Sequence, residues 1–371
     1  MISLTSYPYP PQDILDALHG KYGSRHIRFR YDLLDGNNRK IGELDRVLSG
    51  KVSMNALSTI KRTATFTLQD RGDINWLTDR IQPILLLKMP KTSDWIEFPL
   101  GVFLLVSPTR SDHNRNVYRD VGAFDGLLIL KDDKFQSRYI VKKGVNYRAA
   151  ILDILKSAGI TQYNIEEVEK TIPNDIEYPP GTEKIKAINE LLGAINFTPL
   201  HVDVFGYFTS RPYVSPVDRI VEFTYKDDDL SIVSAGMEED LDLYSIPNRW
   251  VAVLSDPERD PLVSTYTNNS ALSPTSTVNR SRIIVDYREV DEIADQESLD
   301  AYVQRIAFES SQIFGKLSFR TAINPLHDYF DVLRVEYSPL GINHTYSETG
   351  WEMPLEAGGL MKHNVRRIVS V

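Results

Sequence analysis

Residues 63–68 read Thr63-Ala-Thr-Phe-Thr-Leu68, a strict alternation of polar and apolar side chains. A period of two is typical of a β-strand with one buried and one exposed face. The same period governs residues 27–33, where four apolar side chains alternate with Arg28, Arg30 and Asp32. The turn residues Asp35-Gly-Asn-Asn38 follow. The sequence therefore predicts antiparallel strands in the first third of the chain, with Phe66 buried.

The rest of the first third extends this β pattern. A short helix is predicted over residues 11–21, where apolar residues at helical spacing follow a Pro-rich lead and precede Gly20 and Gly23. Further strands are predicted at residues 84–89, 95–107 and 117–124. We expect residues 1–132 to form one β domain.

The middle third has a different pattern. Residues 146–158 and 183–196 carry apolar stripes at helical spacing, and Gly159 follows the first of them as a C-terminal cap. A strand pair is predicted at residues 200–208 and 219–225. Residues 133–215 are therefore interpreted as a small α+β module.

The last third, residues 216–371, returns to strands and adds one long helix. The helix is predicted over residues 295–314, with Asp295 as its N-cap and Gly315 closing it. Residues 255–279 are rich in Pro, Ser, Thr and Asn and are expected to form a long loop. Strands are predicted at residues 248–254, 282–287, 316–323, 331–337 and 363–371. Phe319 and Val335 are expected to be buried in them.

Composition excludes several classes of protein. The 371 residues contain no Cys, which rules out disulfides, thiolate metal sites and a Cys nucleophile. The chain has 51 Asp and Glu residues and 42 Lys and Arg residues, which gives a net charge of −9. This negative charge is unfavourable for binding the phosphates of a nucleic acid. No apolar run reaches the length of a membrane span, and the N-terminus does not resemble a signal peptide.

No local motif predicts catalysis, a cofactor or a metal. The seven His are scattered, His327 and His344 among them, and no nucleophile elbow or phosphate loop occurs. The acidic runs at residues 227–229 and 238–242 leave a calcium site open, but their spacing differs from an EF-hand and favours a solvated surface. We therefore expect no catalytic, cofactor or metal residues.

The element order and turn residues of the last third resemble those of tailed-bacteriophage baseplate hub and tail-tip proteins. A Ser-Pro-rich loop precedes the helix at residues 295–314, and Asn324-Pro-Leu-His327 and Asp331-Val-Leu-Arg-Val-Glu-Tyr337 follow it. Ser245-Ile-Pro-Asn-Arg-Trp-Val-Ala-Val253 fits the same pattern, and Asp120-Val-Gly-Ala-Phe-Asp-Gly-Leu-Leu128 resembles the family's N-terminal part. The resemblance covers nearly the whole chain.

The resemblance implies a fold and a role. The fold would be α+β and mostly β, with two tail-tube-like β-barrel domains flanking the α+β module. Three chains would form a homotrimer that extends the tail tube and adapts its sixfold symmetry to a threefold tip. It implies contacts with a tail tube or distal tail protein, a tape-measure protein and a separate spike or fibre. DNA would pass through the channel without specific binding. The protein would be a non-enzymatic virion component, assembled in the cytoplasm of the host bacterium without a membrane anchor.

Three alternatives remain open at this point. One is a distal tail ring or receptor-binding adaptor, and another is a tail-associated hydrolase of the cell wall. The third is a carbohydrate-binding protein, for which Tyr207, Phe208 and Tyr213 would form an exposed aromatic platform. We expect these three aromatic residues to belong to the strand core instead.

Overall fold

The first third of the chain is a helix followed by eight strands. The structure is a computed structural model that describes residues 1–113, 116–241, 244–254, 261–290, 292–311 and 315–368. The first elements are α1 (Pro11–Leu18), β1 (Ile27–Leu34), β2 (Lys40–Glu43), β3 (Val47–Asn55), β4 (Arg62–Gln69), β5 (Arg80–Lys88), β6 (Trp95–Pro99), β7 (Phe103–His113) and β8 (Asn116–Phe124).

The middle of the chain is helical with short strands. Its elements are α2 (Leu127–Asp132), β9 (Tyr139–Val141), α3 (Tyr147–Ser157), β10 (Tyr163–Ile165), β11 (Ile176–Tyr178), α4 (Lys184–Ala194), β12 (His201–Val202) and β13 (Phe208–Ser210). The side chain of Asn146 caps α3 by accepting a hydrogen bond from the amide of Ala149. The helices of this part share one apolar core.

The last part returns to strands and contains the longest helix of the described residues. Its elements are β14 (Phe223–Lys226), β15 (Glu238–Leu241), β16 (Arg249–Leu254), β17 (Leu262–Thr267), α5 (Thr277–Arg280), β18 (Val285–Glu289), α6 (Gln296–Ser311), β19 (Gly315–Ala322), β20 (Val332–Tyr337), β21 (Ile342–Pro354) and β22 (Leu360–Arg367). No helix in the described ranges is both long and apolar enough to cross a membrane.

One large sheet joins the two β-rich parts. In the described parts of the chain it has fourteen strands, mainly in the order β15-β19-β22-β21-β3-β4-β8-β7-β5-β1-β2, with β6 beside β5, β20 beside β21 and β14 beside β20. Within these residues the strand order is open-ended and does not close into a barrel. The protein is therefore mostly β, as predicted. Phe66, Phe319 and Val335 lie in the sheet's core, which confirms their expected burial.

Two smaller units pack beside this sheet. The helical middle part has its own core, and α6 covers a three-stranded sheet of order β17-β16-β18. Arg305 of α6 donates a hydrogen bond from Nη1 to the carbonyl oxygen of Phe197, 2.9 Å away, and so ties this second unit to the middle part. Residues 249–311 thus form a separate layer within the last third of the chain.

The sequence missed some elements and misjudged others. Residues 95–107 were predicted as one strand, but Gly101 adopts a φ of +128°, which favours glycine, and the chain turns there between β6 and β7. The long loop predicted at 255–279 is wrong for residues 262–267, because they form β17 by pairing with β16. Residues 255–260 and 312–314 of the predicted loop and helix lie outside the described residues, as do residues 369–371.

The strand β21 was missed although it is central to the sheet. Six consecutive residues of this strand, 346–351, are buried, so both of its faces are covered and no alternation marks it. Its pairing places it inside the sheet rather than at an edge. It pairs with β20 through residues 342–347, with β22 through residues 346–352 and with β3 through residues 350–354.

Candidate assembly surfaces and the buried polar centre

A buried arginine connects the N-terminal strands to the C-terminal part. Arg62 begins β4 at a core-facing position and is 1% exposed. Its Nη2 donates to Oδ1 of Asp328 at 2.5 Å, and its Nη1 donates to the carbonyl oxygen of Leu100 at 3.0 Å. Its guanidinium also lies 5.4 Å from the ring centroid of Trp351 in β21. These contacts fix the junction between the two halves of the sheet.

A second buried group connects the strands of the C-terminal part. Glu348 of β21 accepts hydrogen bonds from Nδ1 of His327 and from Nδ1 of His363, both at 2.6 Å. The other ring nitrogen of His327 lies 2.6 Å from the hydroxyl of Tyr225, and that of His363 lies 2.8 Å from the hydroxyl of Thr321. We call His327, Glu348, His363, Tyr225 and Thr321 the polar centre. It links β14, β19, β21 and β22.

Burial and neighbouring charge set the pKa values of the polar centre. Burial alone would lower the pKa of His327, but Glu348, Tyr225 and Asp331 together outweigh it and hold that pKa well above 6.5. Burial would raise the pKa of Glu348, but the charge and hydrogen bond of His327 hold it below its usual value of 4.5. Burial lowers the pKa of His363 despite its bond to Glu348. The centre is therefore a His327 cation paired with a Glu348 anion, with His363 neutral.

The polar centre also has the residue types of a metal site. Ligand atoms of His327, Glu348 and His363 lie within 4.8 Å of one another. In the structure, however, each ring nitrogen of the two histidines already has a hydrogen-bond partner, and all three residues are fully buried. An ion could bind only by displacing these bonds. The arrangement is satisfied as a hydrogen-bonded ion pair.

This charge distribution predicts a stability maximum near neutral pH. The raised pKa of His327 contributes stability that is complete below pH 6.5 and is lost as the pH rises toward that pKa. The lowered pKa of His363 acts in the opposite direction, so stability also falls as the pH drops below 6.5. The lowered pKa of Glu348 adds a further loss below 4.5. Urea unfolding from pH 4 to 10 should show both losses.

A variant pair isolates the alkaline loss. His327→Gln should flatten the decline above pH 6.5, whereas the exposed His26→Gln should retain it. An unchanged alkaline slope in His327→Gln would contradict the assignment of the cation to His327.

Each end of the main sheet has an exposed edge strand. At one end, β2 pairs with β1, and at the other end β15 pairs with β19; neither has a second partner among the described residues. Both strands are four residues long. Ile41 of β2 is 56% exposed and Leu241 of β15 is 45% exposed. Unpaired edge strands present free backbone groups that can pair with another chain.

The acidic runs identified in the sequence lie on the surface. Residues 238–241 form β15, in which every residue is exposed, and Asp242 lies outside the described residues. Oδ2 of Asp227 accepts a hydrogen bond from the amide of Ser338 at 2.8 Å, and this bond lowers the pKa of Asp227. Oδ1 of Asp228 accepts from the amide of Leu230. These two carboxylates are engaged by local backbone amides.

Tyr207, Phe208 and Tyr213 do not form one cluster in the structure. Phe208 is buried in the core of the middle part, as expected, but Tyr207 is exposed and Tyr213 is half-buried against Arg305. The prediction of strand core is therefore wrong for Tyr207 and Tyr213. Their separate environments also give no single aromatic platform for a sugar.

Sequence reasoning missed the polar centre because its members lie far apart in the chain. A signal was nevertheless present at His363, which alternates with the buried Met361 and Val365 in β22. Arg62 likewise alternates with the buried Ala64 and Phe66 in β4. A polar residue at a core-facing strand position requires a buried partner.

The fold is that of phage tail proteins. The chain is similar to the tail protein from Neisseria meningitidis MC58, with a TM-score of 0.65 at 10% identity over 92% of this chain and 96% of that chain. It is also similar to the 43 kDa tail protein of prophage MuSo2 from Shewanella oneidensis, with a TM-score of 0.61 at 10% identity over 91% and 98% of the chains.

A third solved structure extends the likeness to a secretion system. The E. coli c3393 protein is a component of the type VI secretion system and is structurally similar to T4 bacteriophage tail proteins gp27 and gp5. The present chain matches it with a TM-score of 0.50 at 10% identity, over 88% of this chain and 74% of that chain. No family model and no curated protein sequence matches the chain. The resemblance to tail-tip proteins is therefore confirmed at the level of the fold.

Proposed function

We propose that this protein is a structural component of a phage tail tip, a homotrimeric baseplate hub that extends the tail tube. The two β-rich parts would act as the two tube-like domains of each chain, and three chains would present six such domains to a sixfold tube. The fold shared with phage tail proteins supports the tail assignment. The chain would be part of the virion, and contacts with a tape-measure protein and a separate spike or fibre belong to the same proposal.

The open main sheet is the observation that supports a trimer. Strands from both β-rich parts form one sheet through the pairing of β21 with β3, so the two parts behave as one continuous wall. The two ends of this wall, β2 and β15, lack a second partner among the described residues. In a ring, β2 of one chain would pair with β15 of the next and remove both edges.

The charge of the chain suits a channel that DNA traverses. A net charge of −9 gives no general attraction for phosphates, so DNA would slide through the ring without adhering. Two carboxylates that line a cavity of the chain are already paired with cations. Glu309 pairs with Arg305 at 2.9 Å and Glu222 pairs with Arg219 at 2.8 Å. These ion pairs favour a structural role over the alternative of a cell-wall hydrolase.

The oligomeric state tests the proposal. Mass photometry of the purified protein, with the neighbouring tail tube protein present, should show a species of three chains, and class averages should show a ring with a central opening. A strict monomer under these conditions would contradict the hub. Hydrolysis of purified peptidoglycan by the protein would instead support the enzymatic alternative.

A charge on the edge strand should block ring formation. Ile41→Lys places an ammonium on the exposed face of β2, and charged side chains on edge strands oppose pairing with another chain. We expect the trimer to weaken by about tenfold or more in mass photometry, while the melting temperature of the monomer stays unchanged.

A matched variant separates edge pairing from surface hydrophobicity. Leu77→Lys introduces the same charge at a residue that is 95% exposed and lies outside the strands of the main sheet. It should assemble like the parent. Equal assembly by Ile41→Lys and the parent would show that β2 takes no part in the ring.

A further inference from the structure

A cavity of about 530 Å³ lies where the three parts of the chain meet. Its walls include Leu57 from the N-terminal part, Tyr213 from the middle part, and Tyr329 and Phe330 from the C-terminal part. Its volume is within the range of small-molecule sites. The aromatic rings make much of its wall apolar.

The cavity has more positive than negative charge. Among its described lining residues, five are basic and three are acidic, an excess of two positive charges. Two of the basic residues, Arg219 and Arg305, are neutralised by Glu222 and Glu309. The excess therefore belongs to the remaining basic residues, which include Lys61 and Arg366.

Lys61 is a buried cation whose compensating charge is Asp125, a buried carboxylate that acts on it without forming an ion pair. Lys61 is 6% exposed, and its ammonium donates a hydrogen bond to the carbonyl oxygen of Ala56, 2.8 Å away. Burial lowers the pKa of Lys61 to about 8. A bound anion would place a negative charge beside the buried ammonium and offset the cost of burying it.

Arg366 and Tyr213 line the same cavity. Burial lowers the pKa of Arg366, and no carboxylate in the described ranges forms an ion pair with it. The hydroxyl of Tyr213 is enclosed and has no hydrogen-bond partner among the described residues. Lys61 and the half-buried Arg366 are therefore two cations at one cavity without ion-pair partners among the described residues, whereas the enclosed hydroxyl of Tyr213 is closed off from it.

We propose that this cavity binds an organic carboxylate carrying an aromatic or apolar group, with Lys61 and Arg366 as its counter-ions. An inorganic anion would satisfy the cations but leave the space between Tyr213, Tyr329 and Phe330 to water. A neutral apolar molecule would fill that space but leave both cations without an ion-pair partner. This binding site goes beyond the tail role and does not depend on it.

Defined probes test the proposal by isothermal titration calorimetry on the full chain. The probes are N-acetylphenylalanine, its neutral amide, the peptide acetyl-Phe-Glu-Phe-amide and sodium phosphate. We expect one or both organic acids to bind, and both the neutral amide and phosphate to bind at least about tenfold more weakly. Tighter binding of the free acid would identify a small acid as the occupant, and tighter binding of the peptide would identify an acidic segment of a protein.

Variants connect binding to the proposed residues. Lys61→Met and Arg366→Gln should each weaken the preferred acid by about tenfold or more. Lys51→Met removes an exposed lysine that pairs with Glu352 on β21 and should change affinity less than about twofold. Affinity of the parent should fall above pH 8 as Lys61 loses its proton, and Arg366→Gln should retain this dependence.

Three outcomes of these titrations would contradict the proposed binding site. The proposal is overturned if neither acid binds, if the neutral amide or phosphate binds as tightly as the acids, or if Lys51→Met weakens binding as much as Lys61→Met. Circular dichroism and the melting temperature of each variant establish that it is folded. If Lys61→Met does not fold, Arg366→Gln decides the outcome.

Discussion

Replacing Glu348 with Gln is expected to lower the free energy of unfolding by about 3 kcal/mol or more. The carboxylate is 1% exposed and is the acceptor for both His327 and His363. An amide has one acceptor oxygen, so one imidazole N–H would face an NH2 group, and the His327 cation would lose the nearer of its two carboxylate partners and keep only Asp331, 3.4 Å from its Nδ1. Urea unfolding followed by tryptophan fluorescence measures the change.

A second measurement shows whether the loss is electrostatic. In the Glu348→Gln variant the pKa of His327 should fall when followed by NMR, because Asp331 is then the carboxylate partner that remains to offset burial. The control is Glu352→Gln, four residues further along β21, whose carboxylate is half exposed and pairs with Lys51. It should change stability by less than about 1 kcal/mol. Equal effects of the two variants would contradict the role of the polar centre.

Replacing Arg62 with Met is expected to lower the free energy of unfolding by about 3 kcal/mol. The substitution keeps most of the side-chain volume but removes the hydrogen bonds to Asp328 and to the carbonyl oxygen of Leu100. Asp328 is 24% exposed, so water can partly replace the lost cation, which places the effect at the lower end of the range for buried pairs. Thermal and urea unfolding measure the change.

Arg62 has a matched control on the surface. Arg46 is exposed and donates a hydrogen bond to the side chain of Gln69. Arg46→Met should therefore alter stability by less than about 0.5 kcal/mol. The junction between the two β parts would need another explanation if Arg62→Met were as mild as Arg46→Met.

Much of the secondary structure could be predicted, because local periodicity reports which face of an element is buried. The alternation around Phe66 predicted β4, and the stripe beginning at Leu299 predicted α6. β21 could not be found in this way, since neighbouring strands and packing bury residues on both of its faces. The strand at residues 262–267 was missed because it depends on pairing with β16 rather than on its own composition.

The sequence by itself determined the β-rich character, the absence of cysteine chemistry and the acidic balance of this protein. The alternation in β4 and β22 also held an unused signal that Arg62 and His363 face the core, because the period of a strand fixes the face of each residue. Only the tertiary structure decided which buried polar residues meet. His327, Glu348 and His363 are brought together by a strand register that pairs β21 with β22 and by the turn that precedes β20. Register depends on contacts between distant segments, which no local pattern encodes.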